Sequence, residues 1–396
     1  MLLCRCRSNR RPPGKGRSME ILVLFLVMLA LVAAQSIVYK KLSFKGLRYH
    51  CEFNTDEVFE GTEIFLTETV ENQKWLPLPW FKSEITTSKW LDFAGAQSVV
   101  TYHTRFVPSF FLVKGHKKVT RRWNVVCIRR GVFSIENVML VSTDLLGSRT
   151  VSRPAPAGAS VTVLPKPLPL NEFTLQSRYL LGEYLVRFQL VPDPFLVSGV
   201  REYLLSDPMK NIHWNATAKM GRIMIRNQEY TTKQSVMVLL NIQSNEYERE
   251  RERVDPEGVE NCIRAAASVF EAALNDSIPV SFAANWKADG EYIRKNAAFG
   301  REFILGLYRL LAQVPEAGGE SFSRFLEEIP VQPEVTDLII VTTYLNEGIF
   351  AFCRQQKEKE RTVRVLLLRA ASREIPEDCD VYLLKREVMP DAGNIA

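Results

Sequence analysis

His213 has the side chain for a catalytic base or a metal ligand, because imidazole titrates near neutral pH. A metal site needs further ligands, yet no second histidine, cysteine or carboxylate lies at ligand spacing from it. We therefore expect His213 to be a polar residue of an interface or a core.

The sequence motifs of common hydrolases are absent. There is no G-x-S-x-G nucleophile elbow, no H-E-x-x-H zinc motif, no P-loop and no pair of catalytic cysteine and histidine. We expect no catalytic residues, and hence a protein that is not an enzyme. The alternative is a hydrolase with a pocket near Asn241.

A basic stretch between residues 114 and 130 alternates with apolar side chains; its basic members are Lys114, Lys117, Lys118, Arg121, Arg122, Arg129 and Arg130. A phosphate-binding strand is one interpretation. We favour an exposed strand face whose charges oppose edge-to-edge pairing. Close to a membrane, these charges could also contact anionic headgroups.

The net charge of +6 arises largely in a leader, residues 1–20, whose basic residues are Arg5, Arg7, Arg10, Arg11, Lys15 and Arg17. The remainder of the chain is close to neutral. Nucleic-acid binding needs a clustered basic surface, so we expect no nucleic-acid partner.

The seven cysteines are scattered and form no repeated C-x-x-C motif. A structural zinc site or a disulfide framework is not expected, and the odd number favours a reducing compartment.

At 396 residues the chain exceeds one core of ~250 to 300 residues, so two domains and an extra segment are expected. Residues 21–39 carry no charge and are long enough for a transmembrane helix. A cleaved signal peptide is the alternative, since Val32 and Ala34 fit cleavage before Gln35, but Lys40 and Lys41 oppose export there.

The orientation of the chain in the membrane depends on which methionine starts the protein. The basic leader from Met1 would hold the N-terminus inside and place the body outside the cytoplasm. A start at Met19 leaves the basic residues Lys40, Lys41, Lys45 and Arg48 after the helix, which places the body in the cytoplasm. The cysteines favour a single-pass protein of the cell membrane with cytoplasmic domains.

Residues 42–165 alternate apolar with polar side chains and favour β-branched and aromatic types, notably in 57–72, 81–88, 98–106, 117–128 and 159–165. This pattern predicts an antiparallel β-sandwich-like domain for recognition or spacing.

Residues 166–232 form a linker and a distinctive segment with its centre at 199–229. Asp207 and Pro208 predict a turn, Ile212 and Trp214 an apolar anchor, and 223–225 a strand. The alternating polar and basic residues fit an ion-pair seam as well as a binding site.

This segment resembles the hallmark of the bacterial proteins grouped as domain of unknown function 58, with the pattern G-x-R-E-Y, G-D-D-P, I-D-W-K-A-S-A and G-x-L-M-V-R-E. The matching residues are Gly199, Arg201, Glu202, Tyr203, Asp207, Pro208, Ile212, Trp214, Ala216, Ala218, Gly221, Met224 and Arg226. His213 and Asn215 replace the usual aspartate and lysine, and Asn227 and Gln228 replace Glu-Phe. Segments 129–131, 143–147 and 163–170 resemble the family's flanking elements, so the resemblance extends from the membrane helix to about residue 370.

Residues 233–387 predict an α/β Rossmann-like domain, because apolar strands alternate with amphipathic helices; a tail, 388–396, follows. The predicted strands are 235–240, 278–284, 338–342 and 363–368, with an edge strand within 379–387. The predicted helices are 258–274, 292–314, 321–329 and 349–357.

The resemblance implies that this domain is of von Willebrand factor A type, whose metal site needs D-x-S-x-S directly after the first strand. The matching residues are Asn241, Gln243 and Asn245, and Thr342 or Thr343 could stand for a further threonine ligand. The amides keep a carbonyl oxygen but lack the charge that draws Mg²⁺. We therefore expect a degenerate site and no cofactor.

The first functional hypothesis is a membrane-tethered protein-interaction or scaffold protein. Family resemblance implies a MoxR-type AAA+ ATPase as its protein partner, and the anchor helix contacts membrane lipid. The charged segment 245–255 is interpreted as a solvated loop or a docking surface. An extracytoplasmic adhesion or sensor module is the alternative, which the Met1 start favours.

Overall fold

A computed structural model gives the structure of the chain, and it divides into two units, residues 1–163 and 164–396. The residues that the structure describes are 15–147, 149–168, 173–175, 192–203, 209, 212–230, 235–246, 254–288, 290–315, 318–333, 335–369, 375–376 and 379–386.

The first unit begins with helix α1 (Lys15–Leu42), whose portion Met19–Leu42 is apolar and long enough to cross a membrane. The helix predicted for residues 21–39 is therefore present. Its side chains are exposed along most of that portion, as expected for a membrane anchor or a signal sequence.

Antiparallel strands follow α1: β1 (Leu47–Phe53), β2 (Glu57–Phe59), β3 (Glu63–Asn72), β4 (Leu78–Ser88), β5 (Leu91–Phe93), β6 (Val99–Val100), β7 (Thr104–Val113), β8 (Lys117–Cys127), β9 (Gly131–Thr143) and β10 (Thr150–Leu164). They form one sheet of order β1-β3-β8-β5 and a second of order β2-β10-β9-β4-β7-β6. Both sheets contribute side chains to one apolar core, for example Leu66 of β3 and Ile85 of β4. The β-rich character predicted from the alternation is confirmed.

Glu68 is a fully buried carboxylate in this core. It lies on the inward face of β3 between Leu66 and Val70. Its oxygens accept hydrogen bonds from the Tyr49 hydroxyl at 3.0 Å, the Ser109 hydroxyl at 2.8 Å and the Trp123 indole at 3.3 Å, and from the Ser83 hydroxyl. These donors come from both sheets, so the carboxylate joins the two layers.

In the second unit, the distinctive segment forms a two-stranded antiparallel sheet from β12 (Pro192–Glu202) and β13 (Met224–Tyr230), with the short helix α2 (Trp214–Met220) between them. Strand β11 (Phe173–Leu175) precedes them.

The α/β part comprises β14 (Ser235–Leu240), α3 (Pro256–Asn275), β15 (Val280–Ala288), β16 (Glu291–Ala298), α4 (Arg301–Gln313), α5 (Phe322–Glu328), β17 (Val335–Thr342), α6 (Glu347–Glu358), β18 (Thr362–Leu367) and β19 (Asp380–Arg386). Its sheet has the order β11-β19-β18-β17-β14-β15-β16. The strands from β19 to β15 are parallel to their neighbours, whereas the flanking strands β16 and β11 are antiparallel.

Helices cover both faces of this sheet. Val238 and Leu240 of β14 belong to the core that contains α3 and α4, whereas Met237 and Leu239 belong to the core with α5 and α6. Burial on both faces explains why β14 is a continuous apolar run.

Two predictions in this domain are wrong. The helix predicted over residues 292–314 is a strand followed by a helix, because β16 pairs with β15 and Gly300, at φ 110°, precedes the start of α4. The late strand within 379–387 exists as β19 but is not at the edge, because β11 pairs along its outer side.

Candidate functional site

The candidate site lies where the strand order reverses. Counted outward from β14, the chain adds β15 and β16 on one side and β17, β18 and β19 on the other. In doubly wound sheets, the carboxyl ends of the strands at such a reversal form the usual ligand-binding edge. Asn241 follows the end of β14, and Thr342 is the last residue of β17.

Asn241 is fully buried and bonded on both sides of its amide. Its Nδ2 donates to Oγ1 of Thr342 at 3.0 Å. Its Oδ1 accepts from the backbone N–H of Gln243 at 2.9 Å and from Nδ2 of Asn285 at 3.0 Å. The side chain therefore joins the ends of three neighbouring parallel strands.

Asn285, on β15, completes this arrangement. Its Oδ1 accepts from the backbone N–H of Ile242 at 2.8 Å, and its Nδ2 also donates to the backbone carbonyl of Glu320 at 2.7 Å. Gly319 lies against the same amide, because a Cβ on Gly319 would stand 2.9 Å from Nδ2 of Asn285.

Gln243 is buried beside the next loop. Its Oε1 accepts from the Tyr344 hydroxyl at 2.8 Å and from the backbone N–H of Phe322 at 3.2 Å. Thr342 Oγ1 donates to the carbonyl of Tyr344 at 3.0 Å. We call Asn241, Gln243, Asn285, Thr342 and Tyr344 the crest network.

The loop after β14 is also joined to the start of α3. The Ser244 hydroxyl oxygen accepts from the backbone N–H of Asp255 at 3.1 Å, and Thr343 Oγ1 donates to the Ser244 carbonyl at 2.8 Å. Asp255 caps α3 by accepting from the Gly258 N–H at 3.1 Å. Most of the charged segment 245–255, residues 247–253, lies outside the described residues.

The structure brings together Asn241, Gln243 and Thr342 of the predicted site. Asn245 contacts a different group, since its Nδ2 donates to the Ser244 hydroxyl at 3.5 Å. Among the described residues, no group of three or more histidine, cysteine, aspartate or glutamate side chains could hold a metal ion.

The oxygen atoms of the crest network do not fit Mg²⁺, which binds through carboxylates and retained waters at near-octahedral geometry. Oδ1 of Asn241 and Oε1 of Gln243 each accept two hydrogen bonds from protein donors. A cation at these oxygens would have to displace the donors that orient them. The arrangement fixes the loops at the edge of the sheet.

Sequence reasoning missed Asn285 and Tyr344. Asn285 comes directly after the last β15 residue that pairs with β14, Ala284, so it occupies a strand end equivalent to that of Asn241. The sequence does contain a signal for Asn285, because a polar residue directly after a buried apolar strand marks a strand end like that of Asn241.

In the distinctive segment, His213 is the N-cap of α2. Its Nδ1 accepts a hydrogen bond from the backbone N–H of Ala216 at 3.2 Å. Ile212 is buried, but Trp214 is 70% exposed, so the expected Ile212–Trp214 apolar anchor is wrong for the tryptophan. Trp214 is the first residue of α2, and none of the residues of this helix is buried.

The other residues of the distinctive segment make contacts within the segment or lie outside the described residues. Glu202 pairs with Arg222, and Gly221 ends α2 at φ 69°. Gly199 and Arg226 lie on the paired strands β12 and β13, as does the backbone of Arg201. Ala216 and Ala218 lie on α2, Tyr203 follows β12, and Asp207 and Pro208 lie outside the described residues.

Comparison with known families gives a match over residues 199–389 to the family described as protein of unknown function DUF58. This match confirms the resemblance drawn from the segment 199–229. The flanking motifs at 129–131, 143–147 and 163–170 lie outside the matched region. No curated protein matches the chain significantly.

Solved structures similar to parts of the chain include the CARDB domain of the PF1109 protein from Pyrococcus furiosus, at 12% identity and TM-score 0.21 over 31% of this chain and 96% of that one. A non-cellulosomal cohesin from Archaeoglobus fulgidus has 12% identity and TM-score 0.20 over 30% and 90% of the two chains. The bacterial hydrophobin BslA has 12% identity and TM-score 0.20 over 31% and 97%. Likenesses this low do not bear on function.

Proposed function

Residues 199–389 place this chain in the DUF58 family, and from that premise we propose that the protein is a membrane-tethered, non-enzymatic protein-interaction module. The observation that carries the proposal is the crest network. The edge of the sheet where α/β proteins usually bind ligands is occupied by amide and hydroxyl groups that bond to one another.

Because the polar groups of the crest network already bond to one another, the network supports a role in binding over a role in catalysis. Bond-breaking chemistry needs a nucleophile, an acid or base, or a metal-bound water at such an edge. A fixed set of loops at the same edge can instead present a preorganised surface to another protein. We infer that the module binds no divalent ion there.

We also propose that the domain is of von Willebrand factor A type. The strand order and the antiparallel flanking strand β16 support this assignment. The position of Asn241, directly after the first parallel strand, matches the first ligand of the metal site in that type of domain.

The apolar portion Met19–Leu42 supports membrane anchoring. We propose that the soluble domains are cytoplasmic, because free thiols are typical of a reducing compartment. The described cysteines Cys51, Cys127, Cys262, Cys353 and Cys379 are all buried thiols. Burial raises the pKa of Cys51 to about 12 and that of Cys127 to about 11, so these thiols are unreactive at neutral pH.

An introduced cysteine tests the orientation. Tyr102 is 88% exposed, so the thiol of a Tyr102→Cys variant would react with a membrane-impermeant maleimide. With Cys4 and Cys6 replaced by serine, labelling only after cell permeabilisation is expected. Labelling of intact cells would overturn the cytoplasmic orientation and favour the adhesion or sensor role.

A MoxR-type AAA+ ATPase is the partner we propose. The full chain in mild detergent should retain such an ATPase on an affinity resin, and failure to retain it would contradict the partnership. Glu347, exposed at the start of α6 and three residues after Tyr344, provides a variant near the crest network. Glu347→Arg should weaken retention through charge reversal.

Glu358→Arg is the matched control, because Glu358 is exposed at the other end of α6, about 16 Å away at 1.5 Å per residue. Equal loss in both variants, or in neither, would place the partner surface elsewhere. Thermal unfolding of both proteins would show that each variant is folded.

A further inference from the structure

The end of α1 is joined to the β domain of the first unit by direct contacts. The Ser36 hydroxyl donates to the Asp144 carboxylate at 2.7 Å, and the Tyr39 hydroxyl donates to the Pro77 carbonyl at 3.0 Å. Ser36 and Tyr39 are buried, whereas Ile37 and Val38 on the same turn are exposed. One side of the helix end therefore packs on protein, and the other side remains apolar and uncovered.

Exposed apolar side chains surround these contacts. Leu145 and Leu146, at 51% and 61% exposure, directly follow Asp144. Trp75, at 68% exposure, lies two residues before Pro77, and Trp80, at 61%, pairs with Thr143, the neighbour of Asp144. We call Trp75, Trp80, Leu145 and Leu146 the collar.

Basic side chains lie in the same region. Lys40, Lys41 and Lys45 are exposed at or just beyond the end of α1, and Arg149 is exposed after the Asp144 turn. Lys114 is exposed in the β7–β8 turn. The turn contacts the loop that contains Trp75, because the backbone carbonyl of Lys114 accepts a hydrogen bond from Nδ2 of Asn72 at 3.2 Å. The carboxylate of Asp144, by contrast, is buried.

We propose that the collar is a membrane-contact surface that inserts into the interface of a bilayer containing anionic phospholipid. This proposal rests on the proposed membrane anchoring by α1. The bilayer must then surround the uncovered face of α1 up to Ile37 and Val38, which lie in the same turn as Ser36. Because Ser36 bonds to Asp144, Leu145 and Leu146 lie at the level where the helix leaves the membrane.

The chemistry of the collar matches that level of a bilayer. Tryptophan concentrates at the boundary between hydrocarbon and headgroups, where its apolar ring and its N–H are both accommodated. Lysine and arginine side chains close to an anionic leaflet are attracted to its headgroups. Side chains that would otherwise be exposed apolar surface are thereby covered by lipid.

An environment-sensitive fluorophore on a single cysteine tests the proposal. The full chain, with Cys4 and Cys6 replaced by serine, is labelled at Leu145→Cys and reconstituted in vesicles of phosphatidylcholine and phosphatidylglycerol. Tyr102→Cys is the matched control. Tyr102 precedes the start of β7, whereas Val113 at its other end pairs with Leu78 beside the collar, roughly 30 Å away at about 3.4 Å per residue.

The label at position 145 should emit at shorter wavelength in vesicles than in solution. Brominated lipid should also quench it several-fold more strongly than the label at position 102. Equal quenching at both positions, in protein that stays in the vesicles after a carbonate wash, would overturn the collar while leaving the anchor intact. Loss of the chain from the vesicles on washing would overturn the anchor and the collar together.

The salt concentration distinguishes insertion from a purely electrostatic contact. High salt should leave the short-wavelength emission of the label at position 145 unchanged, because apolar insertion is not screened. Loss of that emission in salt would overturn insertion of the collar. Trp75→Ser combined with Leu146→Ser should reduce the quenching at position 145, whereas Tyr102→Ser should not.

Discussion

Nδ2 of Asn285 donates a 3.0 Å hydrogen bond to Oδ1 of Asn241. Asn285 lies on β15 and Asn241 directly follows β14, the adjacent parallel strand, and each side chain also orients the loop that follows β14. A carboxylate at position 241 would accept the same bonds and retain a negative charge for a cation. The amide instead donates with its second atom to Thr342, which closes the arrangement.

Removing the Asn285 amide should destabilise the α/β part. Asn285→Ala leaves the Ile242 N–H without its acceptor and the Glu320 carbonyl without its Asn285 donor, and it removes one of the two donors to Asn241 Oδ1. We expect a loss of about 2 to 4 kcal/mol in the free energy of unfolding. Chemical denaturation of the full chain in detergent measures it. Asn275→Ala, at the exposed end of α3, should change stability by less than about 0.5 kcal/mol, and equal effects would contradict the role of Asn285.

Magnesium should not stabilise the protein. An ion that binds only the folded chain raises the melting temperature with its concentration, by mass action. The oxygens of Asn241 and Gln243 already accept two hydrogen bonds each, so we expect no shift in thermal unfolding on titration with Mg²⁺. A concentration-dependent rise that Asn241→Ala abolishes would show that the site is a true metal site.

Adding a methyl group at Gly319 should disturb the crest network. The new Cβ would stand 2.7 Å from Cγ1 of Ile242 and 2.9 Å from Nδ2 of Asn285, both buried, and overpacking of this kind costs about 1 to 3 kcal/mol. Gly306→Ala is the control, and we expect it to change stability in the opposite direction. Gly306 lies in α4, and a Cβ added there would have no atom within 4 Å. It should stabilise the protein by about 0.5 to 1 kcal/mol, since glycine weakens a helix interior.

Glu68→Gln should destabilise the β domain. An amide has one oxygen and two N–H donors, so it cannot accept from Tyr49, Ser83, Ser109 and Trp123 as the carboxylate does. With at least two buried donors unpaired, we expect a loss of about 2 to 5 kcal/mol. Glu63→Gln, exposed on the same strand, should have little effect; comparable losses in the two unfolding curves would refute this account.

Stability should depend on pH through Lys74. Its ammonium donates to the Ser43 carbonyl at 2.5 Å, and burial lowers its pKa from 10.5 to about 8. Between these values the unfolded chain binds more protons than the folded one, so the free energy of unfolding should rise as pH increases through this window.

Lys74→Met should flatten that rise, and Lys45→Met, exposed at the start of the β domain, should leave it unchanged. Urea unfolding of the full chain across pH 8 to 10.5 measures both. Parallel profiles for the wild type and Lys74→Met would contradict the assignment.

The sequence was informative where burial was simple. Residues 235–240 lie inside a sheet covered on both faces, and their uninterrupted apolar run predicted the strand correctly. The segment 291–298 is a half-exposed flanking strand, and its tyrosine and isoleucine merged with the helical spacing of 301–313. Asn285 and Asn241 lie 44 positions apart, and only the strand order brings them into contact.

Glu68 shows where the alternation of side chains fails to predict burial. Alternation in β3 places position 68 on the inward face, but an acid in that register is normally taken as a sign of the solvent side. Its burial depends on hydroxyl and indole donors supplied by four other strands, and each donor is at least 15 positions away in the sequence.

The hydrogen bond from Ser36 to Asp144 restricts the rotation of the β domain relative to α1, which a flexible linker would allow. Transmembrane helices tilt to match the thickness of the surrounding bilayer. With α1 anchored in a membrane as proposed, a tilt of the helix would be passed to the β domain through the bonds of Ser36 and Tyr39. Membrane thickness would thereby set the angle at which the β domain meets other molecules near the surface.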